Sequence, residues 1–260
     1  MNLDRSAALR RQCADVIGFC RELGEADWSR PSAARGWRVK DVVAHLAASC
    51  HAIFTPASVT LLLSKDIERS NDFYVDQRRD WKPERVLAEF ERWSRRLAAL
   101  SGAVSRTPVA KVPLPLGELG KFPAAVLLSS AFVFDQHTHL RYDLAAALGR
   151  PSPRIDQERA ALVLEWMLAV LSNQLRAARP PWLDRPLSLS LTGAGGGTWV
   201  VATDGRIHPG AEPRGEARIA GHVEDFPGWG TARTSWRDAD VKISGDEALA
   251  SRFLDSLNIV

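Results

Sequence analysis

The sequence has little of what marks membrane, secreted or nucleic-acid-binding proteins. It contains no run of about 18 uncharged apolar residues, which excludes a membrane-spanning helix, and its N-terminus lacks the apolar core of a signal peptide. Three cysteines in 260 residues are too few for a disulfide framework. A net charge of +3 offers no basic field for a nucleic acid. We therefore expect a cytoplasmic monomer or weak homodimer that acts on a small molecule, without contacting membranes or nucleic acids.

The residues that are present indicate two kinds of structure in succession. Helical periodicity of apolar residues extends from the N-terminus to about residue 178. Beyond residue 185, Leu187, Leu189 and Leu191 alternate with polar residues, which is the period of a half-buried strand. The fold class predicted is α followed by α+β. The predicted domains are a helical bundle over 1–150, a connector helix over 151–184, and a small α+β domain over 185–260.

Two glycine- and proline-rich stretches are predicted to interrupt the regular elements. Residues 107–122 contain three prolines and two glycines, which favour a long loop. Residues 193–197 read GAGGG between two strand-like runs, and they lack the spacing of a dinucleotide fingerprint, so we predict a hairpin turn. Neither stretch indicates a binding site.

Asp135 and His139 are the most informative pair in the helical half. They are four residues apart, so their side chains lie on one face of a helix. That face should be apolar, and burying a polar group there without partners costs about 2–7 kcal/mol. A divalent metal would compensate both groups, because carboxylate and neutral imidazole are standard zinc ligands. The spacing alone is weak evidence, since acid–histidine pairs recur by chance.

His45 strengthens the metal hypothesis. It lies among apolar residues in VVAHLAA, where a lone histidine would more often be a core residue bonded to a carbonyl. With Asp135 and His139 it completes a set of two histidines and one carboxylate on two helices, an arrangement that bundles use for metal sites. Three protein ligands leave a position open for water or substrate, which is typical of catalytic sites. We expect zinc, although non-haem iron uses the same ligand set.

Four further residues are candidates for roles beside the ligands. Asp143, one turn beyond His139, could accept the other N–H of that imidazole, although a solvated acid is an equal alternative. His137 is two residues from both Asp135 and His139, so on a helix it points away from them, and it could still face substrate. Arg141 and Tyr142 could contact substrate, with a surface arginine and a packed tyrosine as the alternatives. Together we take His137, Arg141 and Tyr142 as catalytic candidates.

Three segments carry a resemblance to a known family. GWRVKDVVAHLA, residues 36–47, resembles the signature of the mycothiol-dependent maleylpyruvate isomerase family. The family's later motif, an acidic residue followed four positions on by a metal-binding histidine and then by Asp-Leu, is similar to Asp135, His139 and Asp143–Leu144. Residues 238–260 resemble the end of the family's smaller domain. The resemblance implies a DinB-like four-helix bundle followed by a sterol-carrier-like domain, with a metal held by His45, Asp135 and His139.

The resemblance also implies an activity. Members of the family use a divalent metal to activate a low-molecular-weight thiol, mycothiol, for addition to a small electrophilic substrate. One outcome is cis–trans isomerisation of an unsaturated diacid, and thiol transfer is another. The residues themselves indicate the metal, and only the resemblance indicates mycothiol as cosubstrate.

Two departures from the family pattern leave alternatives open. The family's usual carboxylate is Glu, and Asp135 is one methylene shorter, so the metal must lie closer to this helix or bind less tightly. The ligand histidine usually precedes Asp-Leu by three residues, whereas His139 and Asp143 are four apart. One alternative is a metal-dependent hydrolase, cyclase or isomerase that uses no thiol. Another is a non-catalytic protein that binds a small ligand.

Overall fold

The computed structural model describes residues 3–64, 66–210 and 215–259. The chain divides into two compact units, Met1–Arg154 and Ile155–Val260. The second unit includes the helix that the sequence predicts as a separate connector over 151–184. By its contacts, that helix belongs with the sheet that follows it. The predicted three-part division therefore stays a prediction, beside this two-part division of the contacts.

The first unit is built from helices that pack into a bundle. Its helices are α1 Arg5–Arg21, α2 Glu25–Ser29, α3 Val39–Ala52, α4 Ala57–Leu62, α5 Ile67–Asp76, α6 Pro83–Ser105, α7 Ala131–Thr138 and α8 Ala146–Leu148. Two π-helical segments, Val126–Ser130 and His139–Ala145, flank α7. Together with α7 and α8 they form one longer helix, which we call the α7 helix. In the bundle α3 packs on α6, α6 on α1, and α1 on α7. This arrangement places α3 and the α7 helix in one core.

The bundle helices form where apolar spacing and end signals coincide. Helix α6 begins at Pro83, whose fixed φ suits a first helical turn, with Glu84 near the positive end of the helix dipole. Its residues Val86, Phe90 and Leu97 are fully buried on one stripe. The α7 helix ends at Gly149, whose φ of 64° is the left-handed conformation of a helix stop. In the described ranges no helix is both long and apolar enough to cross a membrane.

The predicted loop over 107–122 is more ordered than expected. It contains a short antiparallel pair, β1 Pro113–Pro115 and β2 Lys121–Pro123, with one 3₁₀ turn before the pair at Pro108–Lys111 and another between the two strands at Gly117–Leu119. Phe122 is buried, which ties the pair to the bundle. The prolines and glycines of the predicted long loop thus mark the turns of a small hairpin.

The second unit is a five-stranded mixed sheet with helices. Its elements are α9 Gln157–Ala178, β3 Leu187–Thr192, β4 Gly197–Val201, β5 Ile207–Pro209, β6 Ala217–His222, α10 Phe226–Gly230, β7 Lys242–Gly245 and α11 Glu247–Asp255. The strand order is β5-β4-β3-β6-β7, with β3 and β6 parallel and the other pairs antiparallel. Helix α9 contacts β5, and α11 contacts β6 and β7. The predicted α+β class and the hairpin turn between β3 and β4 are confirmed.

The central strand β3 departs from the predicted half-buried pattern. Its three leucines are buried as expected, but Ser188 is fully buried as well. Its hydroxyl has no hydrogen-bond partner among the described residues. In a central strand, residues of the neighbouring strands on both edges cover more of the polar side chains than alternation alone predicts.

Replacing Phe90 with Ala should destabilise the helical unit by about 3–5 kcal/mol, because it leaves a cavity where a fully buried ring packs. The same substitution at Phe73, which is 59% exposed, is the matched control and should change the free energy of unfolding by less than about 0.5 kcal/mol. Urea denaturation followed by circular dichroism at the helical band measures both. Equal losses in the two variants would contradict this placement of the core.

Candidate metal centre

The α7 helix carries two of the three candidate ligands on one face. Asp135 lies within α7, and His139 begins the π-helical segment that follows it. Their facing atoms, Asp135 Oδ1 and His139 Nε2, are 3.4 Å apart. The predicted stacking of residues four apart on a helix therefore holds here.

The third candidate comes from α3, a helix buried on nearly every side. His45 is 5% exposed among Val42, Val43 and Leu46, which are fully buried. Its Nε2 atom lies 3.3 Å from Asp135 Oδ1. Because α3 and the α7 helix pack in one core, His45 faces Asp135 across the bundle.

The three residues form a compact cluster around one carboxylate oxygen. His45, Asp135 and His139 each offer a ligand atom, and these atoms all lie within 4.8 Å of one another. Asp135 is 27% exposed, whereas the two histidines are 6% and 12% exposed at their side chains. One edge of the cluster therefore remains open to a ligand from outside.

The spacing of the donor atoms fits a divalent metal. Two ligand atoms bound to a tetrahedral zinc ion at about 2.1 Å lie about 3.4 Å apart. The two nitrogen–oxygen separations of 3.3 and 3.4 Å match this edge, and they are longer than a good N–H···O hydrogen bond. The shorter side chain of Asp135 thus reaches both imidazoles, and the cluster is suited to hold an ion.

Asp143 lies one helical turn beyond His139 and holds its ring. Its Oδ2 is 2.6 Å from His139 Nδ1, so Nδ1–H donates to the carboxylate and Nε2 faces Asp135. Such an outer carboxylate fixes the tautomer and direction of a ligand histidine. The Asp143 side chain is 3% exposed, which excludes the alternative of a solvated surface acid.

The cluster strongly shifts the proton affinities of its members. Burial alone would raise the pKa of Asp135, but the imidazoles of His45 and His139 outweigh it and hold this pKa well below its ordinary range. Burial would lower the pKa of His139, yet the carboxylates of Asp135 and Asp143 raise that pKa to about 9. Without a metal, His139 is therefore protonated at pH 7, and its positive charge partly balances the negative charges of Asp135 and Asp143.

Trp37 belongs to the surroundings of this cluster, a position that the sequence does not predict. Its ring centroid lies 5.2 Å from that of His45 and 6.3 Å from that of His139. The only signal in the sequence is the motif GWRVKDVVAHLA, in which Trp37 stands eight residues before the candidate ligand His45. Local spacing does not show that a loop folds back over its own helix.

The three catalytic candidates lie outside the cluster. His137 is 3% exposed and two helical positions from each ligand on α7, so its ring turns away from them. Arg141 and Tyr142 are half-buried, with the guanidinium 5.7 Å from the tyrosine ring. Arg141 is two residues past His139, which places it on the other side of the helix. Their contact with a substrate stays a prediction.

The three cysteines and His51 take structural positions. Cys13, Cys20 and Cys50 are all buried, and burial raises the pKa of Cys13 and of Cys20 to about 12. These thiols are therefore not nucleophiles at neutral pH. His51 pairs with Glu89 through its Nδ1 at 3.0 Å, away from the cluster.

Comparison with known proteins assigns the helical unit. Residues 9–128 match the family model described as mycothiol maleylpyruvate isomerase N-terminal domain. This match covers most of the helical unit. The resemblance found in the sequence is thereby confirmed, and the matched range includes His45 but ends before Asp135 and His139. No curated protein sequence matches the chain.

Two solved structures share the fold over nearly the whole chain. The crystal structure of the mycothiol-dependent maleylpyruvate isomerase superposes with a TM-score of 0.59 at 14% sequence identity, covering 94% of this chain and 96% of that chain. A histidine-to-alanine mutant of that enzyme superposes with a TM-score of 0.56 at 14% identity and the same coverage. At this identity the likeness establishes the fold of both units.

Metal uptake should be linked to proton release. A metal binds only the neutral imidazole, and the raised pKa of His139 means that this ring carries a proton below about pH 9. Binding of Zn²⁺ at pH 7 should therefore release about one proton from His139, and affinity should rise with pH until about pH 9. Calorimetry in buffers of different ionisation enthalpy counts the protons.

The variant D143N removes one of the two carboxylates that raise the pKa of His139, so it should release fewer protons on binding. H51A changes a histidine outside the cluster and serves as the control with wild-type proton release. Zinc uptake without proton release at pH 7 in the wild type would contradict the protonation state assigned to His139.

Proposed function

We propose that the chain is a metal-dependent isomerase that uses mycothiol as cosubstrate on a small unsaturated diacid such as maleylpyruvate. The observation that carries the proposal is the cluster of His45, Asp135 and His139, with donor atoms within 4.8 Å of one another. The family of the helical unit and the isomerase that shares the fold of the chain support the thiol and the reaction. Zinc, a cytoplasmic location and a monomeric or weakly dimeric state belong to the same proposal.

The ligand set suits activation of an exogenous thiol. A bound divalent cation supplies the positive charge that stabilises a thiolate at neutral pH. His45 and His139 offer neutral nitrogen donors, and Asp135 offers one negative oxygen beside the exposed edge of the cluster. Three protein ligands leave a position for an external group. The buried cysteines of the chain do not compete for this role, since burial raises their pKa values.

The reaction class follows from reversible addition of a thiolate to an activated double bond. Attack on the β-carbon moves the π electron pair onto the conjugated carbonyl and leaves a single bond that can rotate. Return of the electron pair expels the same thiolate and restores the double bond in the other geometry. No atom is gained or lost, so the chain has only to bind the reactants and keep its donor groups in place.

Asp143 keeps the donor set in place during such a cycle. Its hydrogen bond from His139 Nδ1, at 2.6 Å, leaves Nε2 free to donate its lone pair toward the cluster. Because Asp143 is buried, water does not compete for this contact. Asp143 is therefore a positioning residue in the proposed enzyme.

Replacing His45 or His139 with Ala should remove metal binding, because each change deletes one of three ligands. We expect wild-type protein to carry about one zinc per chain and the variants to carry almost none, as measured by elemental analysis after purification without chelators. H51A is the matched control, since it deletes a histidine of the same helix that pairs with Glu89 instead. Full zinc content in H45A or H139A would refute the site.

Activity assays separate the thiol-dependent reading from its alternatives. Wild-type protein should isomerise maleylpyruvate only when mycothiol is added, and H45A and H139A should fall to background. Turnover of a substrate without thiol would favour a hydrolase or cyclase that activates water at the metal. Absence of metal from the wild-type protein would favour a non-catalytic ligand-binding protein.

A further inference from the structure

The indole of Trp37 lies against both imidazoles of the metal cluster. Its ring is tilted by 40° to the ring of His45 and by 26° to that of His139, at centroid distances of 5.2 and 6.3 Å. The two imidazoles themselves meet edge to face at 5.0 Å. Trp37 thus contacts each histidine ligand without offering a ligand atom of its own.

Two groups of hydrogen bonds fix the position of this indole. Its Nε1–H donates to Asp72 Oδ1 on α5 at 2.9 Å. On the backbone, Trp37 N–H donates to Ala34 O at 3.1 Å. The backbone N–H and the hydroxyl of Ser32 both donate to Trp37 O, at 2.9 and 2.8 Å. Both ends of the residue are therefore held, which limits the rotamers open to the ring.

The loop that carries Trp37 is also attached to the helix that carries His139. Ala33 N–H donates to the backbone oxygen of Asp143 at 3.1 Å, and the Arg30 guanidinium donates to Ala147 O at 3.1 Å. Gly36, just before Trp37, has a φ of 81°, so the loop turns at a residue without a Cβ. The indole is therefore held at a fixed position relative to α3, to α5 and to the helix that carries His139.

From this geometry we infer that Trp37 is a positioning residue of the metal centre, with Asp72 as its anchor. The inference rests on the proposed metal site. The indole holds the ring planes of His45 and His139 and covers one side of the cluster with an apolar surface. The apolar shell around a metal site controls the access of water, and outer contacts of ligand histidines set affinity. Trp37 therefore sets how tightly the ion is held and how its ligands are directed.

The test uses Co²⁺ as the probe, because its visible absorption reports the coordination geometry. W37L should bind Co²⁺ about tenfold more weakly than the wild type, with an altered absorption spectrum. W37F keeps a ring but loses the bond to Asp72, and D72A loses only that bond, so both should weaken binding by a smaller factor. D72A changes an exposed side chain and is expected to fold.

The matched control is W93L, which removes an indole from a different histidine. Trp93 stacks on His51 at 4.2 Å and 14°, outside the cluster. W93L should keep the wild-type Co²⁺ affinity and spectrum. A loss in W93L equal to that in W37L would overturn the inference, because the effect would then come from any lost indole in the bundle.

A second readout needs no metal. In the metal-free protein the ring current of Trp37 acts on the ring protons of His45 and His139, so W37L should shift these NMR signals and D72A should shift them less. Unchanged signals in W37L, or shifted signals with unchanged Co²⁺ binding, would overturn the role of Trp37 alone. Failure of the wild type to bind Co²⁺ would overturn the proposed metal site and this role together.

Discussion

The carboxylate of Asp135 between two imidazoles is the constraint that organises the helical unit. Its Oδ1 lies 3.3 Å from His45 on α3 and 3.4 Å from His139 on the α7 helix. An ionised carboxylate inside a bundle is costly unless paired, so these helices must stay at one spacing and one rotation. The apolar packing of α1, α3 and α6 maintains that spacing, and the acid would be strongly unfavourable if the helices slid.

Charge balance gives a reason for a second acid, Asp143, behind His139. A divalent cation held by Asp135 alone would leave a positive charge in a region of low dielectric constant. Asp143 adds a second negative charge beside His139, so the two acids together would neutralise such a cation. Without the ion, the proton on His139 takes over part of that balance, since the two carboxylates raise the pKa of this ring to about 9. The same groups thus stay compatible with the core in both states.

The cluster of three candidate ligands was predictable from the sequence, whereas its surroundings were not. Asp135 and His139 are four apart on an apolar face, and His45 lies in an apolar run, so helical periodicity brings out all three. Trp37 meets them only because a loop folds over α3 and is fastened by Asp72, a contact between residues 35 positions apart. The burial of Ser188 likewise depends on neighbours that one strand does not reveal. Contacts set by tertiary packing leave no periodic signal along the chain.

The π-helical segment His139–Ala145 gives the ligand helix a tolerance in length. Its wider turn holds about one residue more than an α-helical turn, and within it the carboxylate of Asp143 lies 2.6 Å from Nδ1 of His139. The helix then resumes its α-helical form at Ala146 and ends at Gly149. A one-residue insertion that would rotate everything after it in an ordinary helix can be taken up by such a wider turn.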